Sequence, residues 1–180
     1  MNAAVNAFFL ILKLLSLYFL VVSLFSLCKR KMQKSSTTQR RFAVLIAARN
    51  EESCIAGLIE SLLAQNYPSE LFDIWVLPNN CTDHTADAAR HAGGKVLEMP
   101  TSIHSKGAAL QYAANTLLHG SRYYDAFCVF DADNEVDPAF LSEMNQALSR
   151  SAIVKSRILA KNRMQAGISA CYEIYFCTAN

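Results

Sequence analysis

Apolar and polar positions follow three rhythms along the chain, and each predicts a different kind of element. From Ala3 to Leu27 the chain is apolar with the single charge Lys13. About 25 residues at 1.5 Å each more than cover a hydrocarbon core of about 30 Å, which predicts a transmembrane helix. After a basic, Ser/Thr-rich stretch the rhythm changes. Phe42 to Ala47 is a continuous apolar run without alternation, as expected of a strand buried on both faces in a parallel sheet. Ile55, Leu58, Ile59, Leu62 and Leu63 follow at helical spacing and stop before Asn66-Tyr67-Pro68. The unit recurs as strand Phe72–Leu77, loop Pro78–Thr85 and a helix through Ala92 to the Gly93-Gly94 stop. It recurs again as strand Lys95–Met99, loop Pro100–Ser105 and helix Lys106–Leu118. Ala126 to Phe130 is too short for a helix and rich in β-formers, so a further strand ends at Asp131. Asp137-Pro138 reads as an N-cap with proline in the first helical position, leading a helix through Phe140, Leu141, Met144 and Leu148. Ile153 to Ile158 alternates like an edge strand. Gly167 to Asn180 is apolar and aromatic, as in a helix.

Strands alternating with helices predict an α/β fold with a mainly parallel sheet, and ligands at the carboxyl ends of its strands. Four polar loops fall there: Arg49–Glu52, Asn79–Asp83, His104–Lys106 and Asp131–Asp133. Period two puts the Asp131 and Asp133 carboxylates on one side. At about 5 Å and an effective dielectric of about 20 they repel by roughly 3 kcal/mol, which a divalent cation relieves. Oxygen ligands in that number suit Mg²⁺ or Mn²⁺. Capping accounts for Asp137, whereas Asp131 and Asp133 sit too far upstream of the helix for that role. A calcium EF-hand fails on spacing, since Val136 stands where the loop needs Gly and Ser142 where it needs Glu. Neither a Gly-x-Gly-x-x-Gly after Ala47 nor a P-loop is present. A diphosphate would be held by a metal at the acid pair, with Lys106 as a point charge.

Composition narrows the organisation. A chain of 180 residues with 52% hydrophobic content has room for one domain plus appendages and is not a disordered protein. The net charge is only +2, and no nucleic-acid partner is expected, but Lys29, Arg30, Lys31, Lys34, Arg40 and Arg41 crowd one segment. By the positive-inside rule this cluster places the chain from residue 42 onward in the cytoplasm, with the amino terminus outside. A cleaved signal peptide fits less well, because the charge lies inside the apolar run and the basic cluster comes after it. Lys13 at mid-depth costs roughly 2.5 to 3.5 kcal/mol on insertion scales, so it must snorkel or meet a partner helix. The cysteines at 28, 54, 81, 128, 171 and 177 form no Cys-x-x-Cys pair and read as reduced thiols.

The strand-end motifs resemble those of family 2 glycosyltransferases, enzymes of the GT-A fold that transfer sugar from nucleotide diphosphate donors. Val44-Leu45-Ile46-Ala47-Ala48-Arg49-Asn50-Glu51-Glu52 is similar to the family's first strand and loop, which hold the nucleoside. Val76-Leu77-Pro78-Asn79-Asn80-Cys81-Thr82-Asp83-His84-Thr85 resembles the second, and Lys106-Gly107-Ala108-Ala109-Leu110 the third. Phe130-Asp131-Ala132-Asp133 resembles the Asp-X-Asp motif. The resemblance implies donor binding by Ala47, Arg49, Glu51, Asn79, Asp83, Lys106 and Asp131, and a metal held at Asp131 and Asp133. It implies an inverting, Mg²⁺- or Mn²⁺-dependent transfer from a nucleotide sugar to an unknown acceptor. Asn79 stands where the family usually places an Asp that reads the base; an amide can also hydrogen-bond a pyrimidine edge.

The family's catalytic carboxylate, often Glu-Asp, and the Gln-x-x-Arg-Trp motif of its membrane members do not occur. Glu173 is the only acid in the tail, so no catalytic base is assigned. The resulting expectation is a transmembrane anchor at 1–28, a basic linker at 29–41 and a C-terminally incomplete GT-A domain at 42–180. A membrane-tethered nucleotide-sugar binding protein without turnover is the alternative that the missing carboxylate favours. A nucleotidyltransferase would want a glycine-rich first loop, and Ala47 to Glu52 has no glycine.

Overall fold

The computed structural model describes residues 3–27 and 38–157, in two compact units divided between residues 35 and 36. The first unit holds helix α1, Ala3–Leu27, with the boundaries that the apolar run predicts. Within it Val5–Ser23 is long and apolar enough to cross a membrane by length and composition.

The second unit is built on a four-stranded sheet of β1 (Phe42–Ala48), β2 (Phe72–Pro78), β3 (Lys95–Val96) and β4 (Ala126–Asp131). The order is β3-β2-β1-β4, and every pair is parallel. Helices α2 (Ile55–Leu63), α3 (Thr85–His91), α4 (Lys106–Leu118) and α5 (Phe140–Ala147) connect or follow the strands. The central strand explains the layers. Phe42, Val44, Ile46 and Ala48 point to one face, where they pack with Ile55, Leu58, Ile59 and Leu62 of α2 and with Leu141 of α5. Ala43 and Leu45 point to the other, against Ala113 and Leu117 of α4. An unbroken apolar run is thus the signature of a strand with helices on both sides. Each of the large α2 side chains contributes about 1.5–3 kcal/mol on burial.

Local chemistry sets the helix ends. Ser105 caps α4, its hydroxyl accepting from the Ala108 N–H at 3.2 Å. The Gly93-Gly94 stop after α3 closes with Gly94 N–H donating to Ala89 O at 2.9 Å and Gly93 N–H to Arg90 O at 3.1 Å. Gly93 takes φ 94°, the left-handed conformation that such a helix end requires.

Three expectations need correction. The third strand covers Lys95–Val96 instead of extending to Met99. Leu97 still donates to Val76 O at 2.9 Å, but beyond it Met99 turns to pack on the α4 layer. Asp137 is not the N-cap of the last helix, which begins at Phe140 after Ala139. Buried Gln65 takes over part of the capping from the end of α2: its Nε2 donates to Asp137 O at 2.8 Å, and its Oε1 accepts from Leu141 N–H at 3.0 Å. Asp137 instead forms a turn in which its carboxylate accepts from Ala139 N–H at 2.8 Å. Finally, residues 153–157 form no strand, and Ile153 is 90% exposed. The alternation there has no hydrogen-bonded partner strand among the described residues.

Arg40 and Arg41 are bound into the second unit. Arg40 N–H donates to Asn145 Oδ1 at 3.1 Å and Arg41 N–H to Asp125 Oδ2 at 2.7 Å. At the amino end of the strands, the buried Asp73 carboxylate accepts from Lys95 Nζ and from Tyr124 OH, each at 2.7 Å, and ion-pairs with Arg122 Nε at 3.1 Å. The rest of the basic cluster (Lys29, Arg30, Lys31, Lys34) lies outside the described residues, as do Cys28, Cys171, Cys177, Glu173 and the helix expected at Gly167–Asn180. The three described cysteines, Cys54, Cys81 and Cys128, are free thiols. Burial pushes the Cys128 thiol up to about 12.

Candidate functional site

Parallel pairing carries all four polar loops to one end of the sheet. Ala47 stands opposite Leu77 on one side and Asp131 on the other, so the loop after β1 is flanked by those after β2 and β4. Two of the turns hinge on asparagine. Asn50 has φ 57° and Asn80 φ 53°, a region that asparagine tolerates better than most side chains.

The first two loops are sewn together by hydrogen bonds. Asn50 Oδ1 accepts from Thr82 N–H at 2.8 Å, and Glu52 Oε2 from His84 N–H at 3.1 Å. In return, Glu51 N–H donates to the hydroxyl of fully buried Thr85 at 2.9 Å, and Glu52 N–H to Asp83 Oδ2 at 3.2 Å. Thr85 then donates to Asp83 Oδ1 at 2.5 Å. That hydroxyl, joined by the Thr85 and Glu52 N–H groups, outweighs slight desolvation and holds the Asp83 carboxyl below its ordinary value. Asp83 and Glu51 are therefore framework as well as surface.

Asn79, at the end of β2, is only 7% exposed, and its N–H donates to Ala48 O at 2.9 Å. The amide of Asn80 bridges Asn79 Oδ1 at 3.0 Å and Ile103 O at 2.7 Å, which draws the loop before α4 to the same end. Lys106, the first residue of α4, is ion-paired with Asp131. Asp131 and Asp133 are both exposed while Ala132 between them is buried, the alternation expected of carboxylates on one side. The Cys54 thiol donates to Glu51 Oε2 at 3.0 Å. Burial first, then the Glu51 carboxylate and the charge of Asp133, push that thiol up to about 11.

Arg49 is exposed and makes no hydrogen bond or ion pair among the described residues. The other sequence-expected residues, Ala47, Glu51, Asn79, Asp83, Lys106, Asp131 and Asp133, gather at the strand ends. The expectations omit Asn50, Glu52, Thr85, Cys54 and Asn80 as individual partners. For Thr85 the available signal is the Asp83-x-Thr85 spacing, in which a carboxylate takes the N–H two residues on, here at 3.1 Å.

A divalent cation fits the acid pair by donor chemistry. No cluster of three or more His, Cys, Asp or Glu ligands occurs among the described residues. Mg²⁺ is commonly held by one or two carboxylates together with substrate phosphates, so two carboxylates are enough protein ligands for such an ion. An open groove of about 680 Å³ runs along β4 from Lys106 and Asp131 to residues 152–156.

Comparison with known proteins agrees with this geometry. The family model for glycosyl transferase family 2 matches residues 43–174. The beta-monoglucosyldiacylglycerol synthase of Synechocystis sp. is 26% identical over 153 residues, covering 79% of this chain and 32% of that protein. The synthase of the same description from Nostoc sp. is 40% identical over 43 residues, 24% of this chain and 9% of that protein. The chain thus spans at most about a third of the length of these relatives. Among solved structures, the mannosyltransferase PcManGT from Pyrobaculum calidifontis, in complex with GDP-Man and Mn²⁺, superposes with a TM-score of 0.63 at 19% identity. That match covers 78% of this chain and 43% of the other. TarS of S. aureus, residues 1–349, gives 0.51 at 19% identity, over 67% and 40% respectively. Both likenesses are of fold.

Proposed function

This chain belongs to glycosyl transferase family 2, and from that premise we propose that it binds a nucleotide diphosphate sugar for inverting, metal-dependent transfer of the sugar to an acceptor hydroxyl. The observation that carries the reading is the convergence of four polar loops at one end of the sheet, with the Lys106–Asp131 ion pair among them. The cross-linked loops after β1 and β2 hold the nucleoside through Ala47, Arg49, Glu51, Asn79 and Asp83. Lys106 meets the diphosphate as a point charge. Asp131 and Asp133 would hold Mg²⁺ or Mn²⁺, which would offset the charge of the leaving diphosphate. PcManGT, a protein of the same fold, is in complex with GDP-Man and Mn²⁺, a pairing that supports this assignment.

In an inverting transfer the acceptor hydroxyl gives its proton to a base and its oxygen bonds to the anomeric carbon as the bond to the diphosphate oxygen breaks. Negative charge therefore grows on the diphosphate. Lys106, at the start of α4, supplies a cation there. The groove along β4 opens beside Asp131 and gives the sugar and acceptor room to meet.

Calorimetry with nucleoside diphosphates tests the reading. Binding should require Mg²⁺ or Mn²⁺, be reversed by chelator and be largely lost in Asp133→Ala. Equal affinity with and without metal would remove the metal site. A radiolabelled sugar-transfer assay in detergent then separates an enzyme from a protein that binds without turnover.

A further inference from the structure

The ion pair between Lys106 and Asp131 holds together two groups that the reading above sends to different partners. Lys106 opens α4 and Asp131 ends β4, and the contact runs from Nζ to Oδ1. Asp133 is placed differently. Its carboxylate is exposed and makes no hydrogen bond or ion pair among the described residues. Of the two carboxylates, one is open and the other is taken.

An ammonium bound to Asp131 cancels that carboxylate's charge and repels any further cation. The same contact neutralises Lys106. What then remains in the strand-end loops is Glu51, Glu52, Asp83 and Asp133 against Arg49, a field that opposes an anionic diphosphate. Either ligand arriving alone therefore meets Lys106 or Asp131 already engaged. Arriving together, each frees the group that the other needs. The pair can open, because Lys106 is 50% and Asp131 63% exposed, and an ion pair so open to water is weak.

We propose that Lys106 stands in for the divalent cation at Asp131, and that exchange of this salt bridge couples cation binding to diphosphate binding. This rests on the nucleotide-sugar reading above and assigns the regulation of its site to one side chain. The coupling is reciprocal: whatever factor the diphosphate adds to cation affinity, the cation adds to diphosphate affinity. Removing the ammonium should accordingly move the two affinities in opposite directions, which the loss of a merely structural side chain would not do.

In the test, Mn²⁺ alone is titrated into the full chain in detergent, and the bound ion is read from water-proton relaxation. Lys106→Met should bind Mn²⁺ about two- to fivefold more tightly than the wild-type chain, the factor by which an exposed ion pair competes. At saturating Mn²⁺ its affinity for UDP and GDP should fall. In an Asp131→Asn background the same substitution should leave Mn²⁺ affinity unchanged, since no carboxylate is left to free. An equal gain there would mean repulsion from a distance and overturn the proposal; if Asp131→Asn binds no Mn²⁺, the first comparison decides. Lys106→Ala repeats the test should the methionine variant not fold. Mn²⁺ affinity that is not raised, or is raised without weaker nucleotide binding, also overturns the proposal and leaves the metal site intact. Binding of no Mn²⁺ by either chain, with or without UDP or GDP, overturns the metal reading on which it rests.

Discussion

Thr85 shows how a single hydroxyl ties together two loops at the strand ends. Fully buried, it accepts from Glu51 N–H and donates to Asp83, so it joins the loop after β1 to the loop after β2. Thr85→Val keeps the volume and removes both bonds. The expected loss is on the order of 1–3 kcal/mol in urea unfolding, the cost of a buried polar group left without a partner. Nucleotide affinity should fall with it, and Thr85→Ser should restore both. A valine variant with wild-type stability and binding would show that the loops do not depend on this link. The placement of much of the candidate site was legible residue by residue: Asp131, Asp133 and Lys106 stand out because charges end or begin apolar elements. Thr85 was not. A threonine opening a helix is unremarkable until the fold brings Glu51 beneath it, and no local pattern records a partner 34 residues away.

Elements were legible where burial governs them and less so where a distant group does. The β1 run and the α2 spacing specify their own extents because each apolar position meets a helix or the sheet. The start of α5 is set instead by Gln65, from the turn that follows α2. Asp73 is a second such strap, tying β2 to β3 through Lys95 and to the segment before β4 through Arg122 and Tyr124. Burial alone would raise its pKa. The bonds from Lys95 and Tyr124, with the charges of Lys95 and Arg122, outweigh that and hold it below the ordinary carboxylate value. A carboxyl depressed in the folded state stabilises above its unfolded pKa of about 3.9 and loses that contribution as pH falls through the folded value. The urea-unfolding free energy should therefore hold between pH 7 and 5 and drop below about pH 4, with a smaller drop in Asp73→Asn. An identical acid drop in the variant would assign it to other carboxylates.

For the whole molecule, α1 and the basic residues after it lead to an expected orientation, with the amino terminus outside and the second unit in the cytoplasm. A phosphatase reporter that works only outside the cytoplasm, fused after Arg41, should be silent, and activity there would reverse the assignment. The strand order has a consequence of another kind, in the sequence of events by which the chain folds. The middle strand β1 meets β2 about 30 residues on but β4 only about 84 residues on, so closing the second loop costs roughly 0.9 kcal/mol more in chain entropy. The β1–α2–β2 unit can assemble first, and β4 then docks on its free edge, carrying Asp131 with it. Truncations such as Ile59→Val in α2 should slow refolding, whereas Cys128→Ala in β4 should mainly speed unfolding. The reverse pattern in stopped-flow kinetics would mean that the long-range pairing forms in the nucleus. On this order of events the acid pair is the last part of the candidate site to be put in place, and a nascent chain gains it only after the loops following β1 and β2 are already joined.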